Sequence, residues 1–468
     1  MVYSLSTITA NYRFERRIPC RKIIHLVSIL ARNLLCHECA NIFKFIKKII
    51  TSKDFIDRNR ISDSAFTRKR KLPFNTLIIF LIGFIRGSYQ DELDRFFKTI
   101  FKLDVAKRLV SKAALTKARA KLKFDAFIEL NSHLISYFEK HLSARSWFGF
   151  RLLAIDGSTI RLPMCEDIIE HFGTWKGRKG APSSVARLSQ LFDVLNKITI
   201  DAVISPKSIG ERQLAAENHF LKLMPTDLLL LDRGYPAWWL FRLILSRQSN
   251  FCSRISCTKW KAIRKFFNSG RPEKVIDLAI NATSKQPCHQ WGLDVEPIKV
   301  RLIRIEHDGK AQVLITSLLD INRYPIEIFY DLYHYRWPVE EDYKVLKSRM
   351  ELENFSGQSV LSVYQDFYAK LFYKNLVSIL TMPAHAAIEN DVGTRMHTYQ
   401  INFTQALSQC KQVITLMFHR AQSQVRQMFA DLYEIFQRTI EPIRSGRMYP
   451  RSHKVKPRKF FLQYKPIG

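Results

Sequence analysis

The sequence predicts an α/β protein, with a mixed-sheet core between helical N- and C-terminal regions. Three observations carry that prediction. Apolar residues keep helical spacing before residue 145 and again after Pro325. Short apolar, β-rich runs dominate the stretch between. From residue 148 these runs order as strand, strand, strand, helix, strand, helix, the layout of a mixed sheet with helices packed on it.

In the first region, Phe127, Leu130, Leu134, Phe138 and His141 mark one helix, with Asp125 the expected N-cap. The apolar run 77–85 reads as a buried helix. It is about half the length a membrane span needs, so no membrane partner is expected. Two basic segments, 58–71 and 107–123, make a DNA-binding module of this region.

The texture changes near residue 147. Residues 148–155 form an apolar run ending at Asp156-Gly157-Ser158. Runs 190–195 and 198–204 read as a hairpin turning at Asn196-Lys197. Residues 211–221 read as a helix, 228–231 as a fully apolar strand ending at Asp232-Arg233-Gly234, and a second helix follows Pro236. Runs 251–256, 300–305 and 312–316 add strands, read as a β-rich insertion. Beyond Pro325, Val363, Phe367 and Leu371, then Leu407, Cys410, Ile414 and Met417, then Val425, Met428, Leu432 and Ile435 keep helical spacing. A basic, proline-broken tail closes the chain from Ser445. The expected division is 1–145, 146–248, 249–322, 323–360 and 361–468.

Charge points to the partner. The chain has 468 residues, with 74 Lys and Arg against 42 Asp and Glu, a net +32 spread along its length. Such an excess favours a polyanion, because each neutralised phosphate releases counterions. Eight cysteines are too sparse for a disulfide scaffold and read as reduced thiols in the cytosol. Cys36-His37-Glu38-Cys39 has zinc-like spacing, but no second pair follows at finger distance, so no zinc is expected. Arg13, Arg16, Arg17, Arg21 and Lys22 interrupt any leader-like apolar stretch.

The chemistry concentrates in three places. Asp156 and Asp232 each end a buried apolar run, where an unpaired carboxylate is costly. On neighbouring strands they suit a hard divalent cation, although Asp-Gly is also ordinary turn chemistry. The third place is the stretch from Tyr333 to Lys347. Tyr333, Arg336 and Lys347 stand at −7, −4 and +7 from Glu340, and Lys344 at +4, so one helix face carries a carboxylate among phosphate-gripping cations. Pro338 interrupts that helix or starts it.

This Y-x2-R-x3-E-x6-K pattern, preceded in order by Ile155-Asp156-Gly157-Ser158 and Leu231-Asp232-Arg233-Gly234-Tyr235, resembles the insertion-sequence-four family of DDE transposases. The resemblance implies a ribonuclease-H-like sheet. It implies Asp156, Asp232 and Glu340 as catalytic metal ligands for two Mg²⁺ (or Mn²⁺) ions. Tyr333, Arg336 and Lys347 would contact DNA phosphate, with Lys344 and Arg233 as further contacts. It implies a bacterial, nucleoid-associated enzyme that cuts element ends, rejoins the 3′-OH to a target, and works as a homodimer on double-stranded DNA. Trp260 and Trp291 are the insertion tryptophans available to hold a flipped base. Three readings stand beside it: a nuclease or resolvase without strand transfer, an inactive DNA-binding derivative, and an RNA-processing enzyme.

Overall fold

The computed structural model describes residues 37–443, apart from 84, 177–181, 308 and 391–396. The arginines at 13–21, Cys36 and the basic tail lie outside the described residues.

A nine-stranded mixed sheet forms the centre. Its principal strands are β1 (Arg151–Arg161), β2 (Ser183–Asp193), β3 (Ile198–Pro206), β4 (Asp227–Leu231), β5 (Asn250–Ile255), β6 (Glu273–Leu278), β7 (Ile298–His307) and β8 (Lys310–Thr316). In space they run β3-β2-β1-β4-β5-β8-β7-β6. The meander β1–β3 is antiparallel, β4 and β5 lie parallel to β1, and β8, β7 and β6 continue antiparallel from β5.

The apolar runs become buried strands because both faces of the sheet are covered. Leu152, Ala154, Leu228 and Leu230 enter one core. Their neighbours Leu153, Ile155, Leu229 and Leu231 enter the other. Burial of both alternating faces explains why β4 is leucine from 228 to 231.

The first core holds the terminal helices. The run at 77–85 falls on helix α2 (Phe74–Ile82), in which every residue from Leu77 to Ile82 is buried. It follows α1 (Lys53–Asn59) and precedes α3 (Tyr89–Phe101), α4 (Lys112–Arg119) and α5 (Asp125–His141). Helix α5 begins one residue beyond the cap position, which Phe124 takes in place of Asp125. The second core is closed by α7 (Trp238–Ser246), which follows α6 (Glu211–Glu217). Beyond the sheet come α8 (Ile328–His334), α9 (Pro338–Lys344) and the long α10 (Val360–Asn390). Helix α10 packs against α2, α5 and β3, and α11 (Phe403–His419) and α12 (Gln422–Arg438) close over it.

One expectation changes, and one alternative is decided. β1 does not end at Asp156; it runs on to Arg161. The parallel ladder with β4 stops at Ile155↔Leu231, but the antiparallel ladder with β2 continues to Arg161↔Val185 and keeps the backbone bonded. Over residues 333–347 the chain takes one of the two courses that Pro338 left open, a fresh helix starting at the proline. Pro338 occupies the first turn of α9. Lacking an N–H, it cannot extend α8. Tighter bonds, Arg336 N–H to Tyr333 O and Trp337 N–H to His334 O, bridge the two helices. A π-turn over Val345–Arg349 follows.

The segment from 249 opens with β5, which pairs with β4 inside the same sheet. No helix among the described residues is long and apolar enough to cross a membrane.

Candidate active site

Sheet register creates the site. Ile155 pairs with Leu231 in the parallel ladder, and β4 ends there, so Asp156 and Asp232 are the next residues on adjacent strands. Adjacent strands lie about 4.8 Å apart. Asp156 is half-buried and accepts the Gly157 N–H at 2.9 Å. Its pKa is pushed up to about 6: burial is the largest cause, and the Glu340 and Asp232 carboxylates add repulsion. The Gly157 N–H and Arg336 oppose the shift. Glu340 and Asp232 therefore both lie within electrostatic reach of Asp156.

Gly157 has a steric reason. A Cβ there would stand 2.7 Å from the Glu211 carboxyl group at the start of α6. Glu211 is itself held by Arg187 at 2.6 Å.

Helix α9 delivers Glu340. The Tyr343 hydroxyl donates to the Asp156 carbonyl at 2.6 Å, tying the helix to β1. Arg336, nearly buried, donates to Glu340 at 2.7 Å, the i,i+4 pair that the spacing predicts. Tyr333 reaches the Leu231 carbonyl at 3.4 Å, and burial pushes its phenol up. Lys347 donates to Ser158 Oγ at 2.5 Å and to the Thr159 carbonyl at 2.6 Å, and burial pulls its pKa down. These groups converge on the strand ends despite the broken helix.

Two expected residues stand apart. Lys344 is exposed and pairs with Glu341 at 2.5 Å. Arg233 is exposed and turns to Ser256 Oγ at 3.4 Å. It lines a cationic pocket with Arg212, Lys259 and Trp260. Trp260 also meets Phe241 edge-on, and Trp291 packs against the second core.

One residue was missed. Arg254, on β5, donates to Asp232 Oδ1 at 3.1 Å. It shares a pocket with Tyr330, Tyr333, His334, Arg336 and Trp337. The signal was an arginine interrupting the apolar run 251–255.

The donor set suits a hard divalent cation: three carboxylates, one already strained by burial and like charge. Arg336 and Arg254 lie on two of those carboxylates. Among the described residues no three acidic, His or Cys groups are drawn together to ligating distance.

Comparison with known proteins gives the class. The family model described as "Transposase DDE domain" matches residues 147–376. The transposase InsG of insertion sequence element IS4, from Escherichia coli strain K12, is 23% identical over 424 residues, 87% of this chain and 92% of that one. A piggyBac transposase synaptic complex with hairpin DNA aligns at a TM-score of 0.41 and 10% identity, over 84% of each chain. Residues 147–376 match a transposase DDE domain, and the chain is similar over most of its length to a transposase of the insertion-sequence-four kind. It is thus an enzyme of DNA transposition, in a class that depends on divalent metal.

Proposed function

We propose that Asp156, Asp232 and Glu340 are the metal-holding catalytic acids of cut-and-paste transposition by this chain. The observation that carries the reading is that Asp232 and Glu340 both lie within electrostatic reach of Asp156, whose carboxyl is pushed up to about 6 by burial first and then by these two acids, against the Gly157 N–H and Arg336. The antiparallel meander followed by two parallel strands is consistent with a ribonuclease-H-like core, with residues between β5 and α8 as its β-rich insertion.

Two Mg²⁺ ions, or Mn²⁺, would supply Lewis-acid activation of the attacking oxygen and stabilise the leaving one. The chain's own groups do the rest. Arg336 and Arg254, released from Glu340 and Asp232, hold non-bridging oxygens of the scissile phosphate. Tyr333 adds a hydrogen bond, and Lys347 places a positive charge beside Ser158. Arg233 and Lys344 act further out on the DNA backbone. Helices α1–α5 bind the element end, and two copies join two ends in a synapse at the nucleoid.

The test incubates wild type and Glu340→Ala with Mg²⁺ and a labelled duplex carrying the ends that flank the gene. End cleavage and joining by wild type alone, with both proteins binding the duplex, is the expected result. Cleavage by Glu340→Ala would sink the site assignment. Cutting by wild type without end preference or joining would point to a nuclease.

A further inference from the structure

Helix α9 is a weak platform for a residue that must be held to a fraction of an ångström. It has seven residues, starts at a proline and runs into a π-turn. So short a helix has little stability of its own and takes its direction from what it packs against.

Asp342 supplies that contact. It lies two positions beyond Glu340, about 200° around the helix, so it points away from the acids. Its side chain is 5% exposed and pairs at 2.8 Å with Lys374 of α10, itself 1% exposed. The second carboxylate oxygen accepts from Gln190 at 3.1 Å. Gln190 is the residue directly opposite Asp156 in the β1–β2 ladder. One carboxylate therefore ties the Glu340 helix to the strand that backs Asp156.

Lys374 is fixed in turn. It donates to Thr199 Oγ1 at 3.0 Å and Asn375 Oδ1 at 3.3 Å, and lies 4.6 Å from the Phe192 ring centre. Asn375 bonds both backbone groups of Thr199 and the Asn131 side chain. Burying such a pair gives little net stability, because desolvation offsets the attraction. What the pair does supply is direction: hydrogen bonds fix an angle that an apolar contact leaves loose.

We propose that Asp342 and Lys374 are positioning residues, whose buried pair sets the angle at which α9 presents Glu340 to Asp156. The role rests on the assignment of Glu340 above.

The test uses full-length Gln190→Leu, Lys374→Met and the double variant Asp342→Leu/Lys374→Met. The double variant removes both charges, so it leaves no buried ion unpaired and is expected to keep the wild-type melting temperature. It is expected to bind the end duplex as wild type does. Its single-turnover cleavage should fall on the order of 100-fold. Mn²⁺ binding without DNA, read by electron paramagnetic resonance, should weaken about tenfold. Gln190→Leu, which keeps the ion pair, should fall between. A double variant with wild-type cleavage and Mn²⁺ affinity would overturn the proposal. Should the double variant melt early, cleavage and Mn²⁺ affinity are read below its melting temperature, where wild-type values would overturn the role equally. Glu340→Ala separates the two claims. Its full activity would sink the site assignment, whereas an inactive Glu340→Ala beside a fully active double variant would sink the positioning role only.

Discussion

Asp156 carries the most information of any single residue. Its carboxyl is raised to about 6 because it is half-buried beside two other acids, and Gly157 next to it leaves room for Glu211. A methyl group at 157 must push that carboxyl away from Arg187. Because that carboxyl is the far end of a flexible side chain, Gly157→Ala is expected to lower stability by no more than about 1 kcal/mol, the worth of the Glu211–Arg187 pair it disturbs. Chemical denaturation of Gly157→Ala, with Glu211→Ala added as rescue, checks this. A loss that Glu211→Ala fails to recover would mean the strain lies elsewhere. The neighbouring positions of Asp156 and Asp232 and the Arg336–Glu340 contact were legible in the sequence, because an apolar run closed by Asp and an i,i+4 spacing leave local marks. Arg254, Asp342 and Lys374 were not. Their partners lie 22 and 32 residues away in the chain, and only the folded sheet brings each pair together.

Elements show where local pattern stops deciding. β4 was legible over 228–231, since four consecutive leucines ended by Asp232-Arg233-Gly234 suit a strand covered on both faces, and the strand adds Asp227 at its start. The length of β1 was not. Asp156-Gly157-Ser158 reads as a turn, yet β2 pairs with it residue by residue out to Arg161. Of the two possibilities that Pro338 left open over 333–347, the chain starts a fresh helix there, and Lys344 pairs with Glu341 at the surface. The core argument is testable in β4. Leu230 is fully buried, so Leu230→Ala should destabilise the fold by about 2–5 kcal/mol in denaturant unfolding. A loss below about 1 kcal/mol would contradict the two-core description of the sheet.

For the whole molecule, the terminal helices and the sheet share one core: α2, α5 and α10 pack together and onto β3. At its edge His385 lies in a pocket with Arg145 and Lys197. Burial, then those two cations, push its pKa down to about 3. A histidine near 6.5 unfolded and near 3 folded binds more protons when unfolded across that window. Its stability contribution is thus complete above about pH 6.5 and is lost progressively as the pH falls toward 3. His385→Gln is expected to flatten the fall in melting temperature between pH 6.5 and 4, relative to wild type. Parallel curves for the two proteins would refute the assignment.

The sequence by itself determined the class of the protein: an α/β core, a basic chain suited to DNA, and three acidic blocks in order. These are properties of composition, periodicity and short spacing, which each residue carries with it. Only the tertiary structure decided which charges meet. It set Asp156 beside Asp232 through the β1–β4 register, placed Arg254 on Asp232, and tied the Glu340 helix to α10 through Asp342 and Lys374. The physical reason is distance along the chain: attraction between charges depends on separation in space, and no local pattern encodes that separation.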